Sequence, residues 1–170
     1  MGVTIHFEGK LKSDFEYEKV MLNAKAFAEA NRMEYTFFTE EKKILLRHKD
    51  GEAWDYSGPT KGIRIQPHEN TDPLLLEFDK NNYIQEYCKT QFATIDIHII
   101  IATFLKSVEE NFETLKVNDE GEYWQTADKT ILKNRIDTCF YQIEALKQND
   151  PTLDGPFKTE GDRIVDLLHV

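Results

Sequence analysis

The feature that most constrains this chain is a change of hydrophobic period that happens once near its start and is not repeated in alternation. "GVTIHF" alternates and is rich in β-branched residues, the pattern of a strand. From Ser13 the spacing becomes helical: Tyr17, Val20, Met21, Ala24, Phe27 and Ala28 form one stripe, and Ser13 with Glu16 makes a capping box. Strand signals then follow in a run. "EYTFFTE" and "KKILLRH" read as two strands joined by a short charged turn, and "GIRIQPH" and "LLLEF" as a pair joined by "ENTDP". Residues 48–62, with two glycines near Pro59, read as loop, and "YIQEYCKTQF" extends or crosses the sheet.

Two long helical patterns close the chain. Thr94 is the N-cap of the first, with Asp96 in its first turn and an apolar stripe from Ile97 to Phe112 and Leu115. The second runs from about Thr126 to Lys147, with Leu132, Ile136, Cys139, Phe140, Ile143 and Leu146 on one face. The tail carries turn residues and a short terminal hairpin or strand. Strands and helices do not alternate, which argues against a doubly wound fold. The order predicts a single α+β domain over residues 1–170, an antiparallel sheet with three main helices packed mostly on one face. At 170 residues such a domain buries roughly 70% of its extended surface and needs no staple.

Charge narrows the partners. A net charge of −10 gives no electrostatic footprint for nucleic acid or an anionic membrane; it serves plain solubility first and is compatible with a protein partner of basic surface. Cys88 and Cys139 lie far apart in apolar patterns, as in a reducing compartment. No apolar run has signal-peptide or membrane-span length, so the expected location is the cytoplasm.

Four groups of residues are candidates for chemistry. "NDEGEYWQT" places Asp119, Glu120 and Glu122 around Gly121, directly before Tyr123 and Trp124. The composition is that of a turn, with Gly121 free to take positive φ. Three acids so close need water, a cation or donors, and water is the cheapest. If "EYW" is extended, one of its two aromatics is left as a wall beside the acids. Lys89, Thr90 and Gln91 sit just before a helix N-terminus, where an anion site or simple capping is expected. His98 lies at the edge of its helix's stripe. An acid from the turn could orient it as a base, but about 20 helical residues, roughly 30 Å, stand between them. His68, in "QPHEN", stands at a strand end, and the five histidines show no metal-binding spacing. There is no matched nucleophile and base, so no catalytic residue, cofactor or metal is assigned and the chain leans away from an enzyme.

The segments "KTQF", the following "IH" and "DEGEYWQT" resemble a group of small bacterial cytosolic proteins without an assigned activity. The resemblance extends to "MGVTIHFEGK" and "GIRIQPHENTDPLLLEF", and so to most of the chain. It implies no residue role. The leading expectation is a non-enzymatic binding or interaction protein, of immunity-like or regulatory kind. The alternative is a small-molecule binder or enzyme with a cleft near Trp54, Tyr56, His68, Lys89 and Gln91.

Overall fold

A computed structural model describes residues 2–170. Strand β1 (Thr4–Leu11) leads through Ser13 into helix α1 (Asp14–Ala30), whose first turn is closed by the Ser13 hydroxyl accepting from the Glu16 N–H. Strands β2 (Glu34–Lys49), β3 (Glu52–Gln66), β4 (Leu74–Asp79) and β5 (Tyr83–Lys89) follow. Helix α2 (Ile95–Val108), a single 3-10 turn, strand β6 (Phe112–Asp119), the short helix α3 (Tyr123–Thr126) and helix α4 (Lys129–Asn149) complete the main body. Four two-residue strands, β7 to β10 (Leu153–Asp154, Phe157–Lys158, Ile164–Val165, Leu168–His169), tie down the tail.

The fold is α+β. Two three-stranded sheets, β5-β1-β6 and β2-β3-β4, are antiparallel throughout and meet at the β4–β5 corner. The main helices cover one side. Ile5, Phe7, Ile63, Ile65, Leu76 and Phe78 from the strands meet the α1 stripe and the inner face of α2, including Ile101 and Leu105. A smaller cluster of Val3, Leu132, Ile136 and Cys139 seats α4 against the start of the chain. Each fully buried aliphatic or aromatic side chain in these clusters contributes about 1.5–3 kcal/mol.

Several boundaries differ from those the sequence suggests. The charged stretch "TEEKK" is no turn: β2 runs through it as one strand, with a bulge between Glu40 and Lys43. Residues 52–62 are strand rather than loop, because Asp50 and Gly51, at φ 52° and 80°, form the two-residue turn of a long hairpin. Gly62 is required by a close approach: a Cβ there would lie 1.7 Å from the Leu76 carbonyl oxygen. Phe112 and Leu115, which continue the stripe of α2 in sequence, belong to β6. Phe140 and Leu146 stay largely exposed on α4, Phe140 lying edge-on to Phe92. Among the described residues no helix is long and apolar enough to cross a membrane.

Candidate functional site

The expected 30 Å between His98 and the acidic turn does not exist. Helix α2 has 14 residues, about 21 Å, and β6 returns over 8 residues, about 26 Å, so the end of β6 comes back to the helix's first turn. His98 Nε2 lies 3.0 Å from the Asp119 carboxylate, and His98 Nδ1 lies 2.6 Å from the Thr90 hydroxyl. All three side chains are buried, His98 and Thr90 at 0% exposure and Asp119 at 2%. Burial alone would raise the Asp119 carboxyl, but the bond from His98 and the backbone N–H groups of Trp124 and Gly121 pull it below the usual carboxylate range. A carboxylate in that state accepts only, so His98 carries its proton on Nε2.

The other two acids of the turn keep contact with water and also have partners in the chain. Glu120 accepts from the Thr4 N–H and from His6 Nε2, while Glu122 pairs with Arg135. "EYW" is not extended. Glu122 takes the left-handed conformation at φ 59°, and Tyr123 and Trp124 begin α3, both half-buried, with Lys106 over the Trp124 ring. Gly121 is selected by crowding rather than by positive φ, since a Cβ would meet Leu132 at 2.6 Å and His98 at 3.1 Å.

Lys89, Thr90 and Gln91 are likewise committed within the chain. Lys89 Nζ and Gln91 Nε2 both donate to Asp166 Oδ1, at 2.7 and 2.9 Å, and Gln91 Oε1 accepts from the Val3 N–H. His68 Nδ1 accepts from the Asn70 N–H in the β3–β4 turn, and Tyr56 donates to the Pro59 carbonyl. None of Trp54, Tyr56, His68, Lys89 and Gln91 lines the groove that opens elsewhere on the sheet.

A groove of about 640 Å³ lies on the side of the sheet away from the helices. The register of β5-β1-β6 lays two rows across its floor: Tyr87, His6 and Asn118, then Gln85, Glu8 and Lys116. The outer half of β2 forms the other wall with Leu45, Leu46 and His48. Glu8 accepts from Tyr83 and Gln85; burial raises its carboxyl, but these bonds and the Lys116 and Lys49 charges bring it below its ordinary value.

Among the described residues β5 has no paired strand on its outer edge. Its outward carbonyls are taken instead by side chains and one loop amide: Arg47 reaches Tyr83 O and Gln85 O, Arg163 reaches Tyr87 O, and the Asp72 N–H donates to Lys89 O. Arg47 is 2% exposed and also approaches Asp79, while Lys43 on the same strand pairs with buried Glu77. The Gln85 side chain bonds both the N–H and the carbonyl of His48. Glu86, beside Arg163, is pushed up to about 7 by burial, partly offset by that guanidinium. Sequence reasoning missed Arg47, Asp72, Glu86 and Arg163, whose partners lie 16 to 92 residues away.

Among the described residues no group of three or more His, Cys, Asp or Glu is placed to hold a metal. No protein-family model matches the chain, and comparison with curated proteins and with solved structures gives no match.

Proposed function

We propose that this chain is a non-enzymatic binding protein that takes its ligand in the groove between the polar sheet face and the outer half of β2. One observation carries the reading: a concave space of about 640 Å³, within the range of small-molecule sites, has an apolar wall and two rows of side chains converging on its floor. The ligand that fits has hydrogen-bonding groups for Tyr87, His6 and Asn118 and an apolar part for Leu45 and Leu46. Where that ligand is carried by a macromolecule, the role is regulatory or immunity-like.

Thr90, His98 and Asp119 have the order of a catalytic relay, but supporting the fold is the role their burial favours. They join the first turn of α2 to the end of β6, and none of them lines the groove. Two buried free thiols fit a reducing, cytoplasmic setting.

The reading is tested by screening a fragment library by thermal shift against the wild type and against Asn118→Trp, which fills the groove floor. Fragments that raise the wild-type melting temperature and lose that effect in the variant support the groove. Fragments that stabilise both proteins equally would place binding elsewhere.

A further inference from the structure

β2 is a sixteen-residue edge strand, and its outer edge has no partner strand among the described residues. Long exposed edges with apolar side chains are templates for pairing. On this strand Ile44, Leu46 and Phe37 are 69%, 60% and 48% exposed. The bulge between Glu40 and Lys43 shifts the alternation, so these three side chains share one face of the ribbon although their numbers differ in parity.

We propose that this edge pairs with its own copy in a second chain, antiparallel about a two-fold axis between Glu41 and Lys42. In that register Glu41 faces Lys42 and Glu40 faces Lys43. Further out Phe38 faces Leu45 and Phe37 faces Leu46. An isologous contact needs such self-complementarity, and cross-strand pairs of opposite charge or matched apolar type are each stabilising.

Two features independent of residue type select the same register. The side chains of Phe37 and Leu46 lie on one face, and those of Phe38 and Leu45 on the other, so every facing pair is face-matched. The backbone phase agrees as well. His48 turns its N–H and carbonyl away from β3, towards Gln85, which means Leu46 and Ile44 also turn theirs outward. Following β3 past the bulge makes Thr39 and Phe37 the outward residues of the first half, and these are the ones that Ile44 and Leu46 meet. Gln85 closes the edge at His48, so the ladder ends on the two Phe37–Leu46 pairs. A shift of two residues either way sets Lys42 against Lys43 or Glu40 against Glu41, and is excluded by like charge at the centre.

The pairing does not rest on the groove reading, although Leu45 and Leu46 border both the ladder and the groove. It is tested by sedimentation velocity of the whole chain over a range of concentrations, with Glu41→Lys and Lys42→Glu, both at exposed positions of the bulge. The wild type is expected to sediment as a dimer at the upper concentrations. Each single variant should weaken dimerisation at least tenfold, with an unchanged far-UV circular dichroism spectrum. An equal mixture of the two variants should recover wild-type dimerisation, because both cross-axis contacts again pair lysine with glutamate. A wild type that stays monomeric at every concentration overturns the proposal. So does a dimer that neither variant weakens, or a mixture that fails to recover.

Discussion

Asp119→Ala should be among the most damaging single changes in this protein. The carboxylate is 2% exposed and accepts from His98 Nε2 at 3.0 Å, from Gly121 N–H at 2.8 Å and from Trp124 N–H at 2.9 Å. Truncation leaves these donors unpartnered in a buried place, each at roughly 1–3 kcal/mol. Partial relaxation brings the expected loss to about 3–5 kcal/mol. That is a large share of the roughly 5–15 kcal/mol typical of a whole domain. Urea unfolding followed by circular dichroism measures it as a fall in midpoint at unchanged slope. The pH dependence has a definite sign. The folded carboxyl lies below its ordinary value, so the wild-type contribution is complete above the unfolded pKa of about 4 and is lost as pH falls through the lowered folded value. The alanine variant should therefore differ least from wild type in strong acid. A loss below about 1 kcal/mol at neutral pH would refute the view that this carboxylate holds α2, β6 and α3 together.

Other perturbations probe separate parts of the same structure. Arg47→Met removes the guanidinium that bonds the β5 edge and leaves Asp79 buried without its cation; a loss of about 3 kcal/mol and faster hydrogen exchange in residues 43–58 are expected. Gly62→Ala drives a Cβ into the Leu76 carbonyl and should cost about 2 kcal/mol or more in urea unfolding. Glu86 binds its proton more tightly when folded, so its contribution is complete below the unfolded pKa of about 4.3 and is lost as pH rises towards the folded value of about 7. In Glu86→Gln, stability relative to wild type should accordingly rise across that window, as read by melting temperature against pH. Ser13→Ala should cost about 1 kcal/mol through loss of the α1 N-cap.

The fold was legible where periodicity carried it. The α1 stripe of Tyr17, Val20, Met21, Ala24 and Ala28 is buried as its spacing predicts, and the β3–β4 pair forms around its turn. The end of α2 was not legible, because Phe112 and Leu115 keep helical spacing while lying on a strand that packs on the same core. That one boundary hid the meeting of His98 with Asp119. "KDGE" carried a hairpin signal, a two-residue Asp-Gly turn, which the glycines and proline of the following segment obscured. The groove could not be read at all. Its wall depends on Arg47 serving carbonyls of a strand distant in sequence, and no local pattern encodes a missing ladder partner.

The central claim is that the polar face of β5-β1-β6 under β2 is where this protein binds. Backbone amide chemical-shift mapping of the labelled protein, with the fragments that stabilise it, tests this directly. The largest shifts are expected at His6, Gln85, Tyr87, Asn118 and Leu45, with His98 and Thr90 little changed. Shifts centred instead on the Thr90, His98 and Asp119 relay, with the groove amides unmoved, would contradict it.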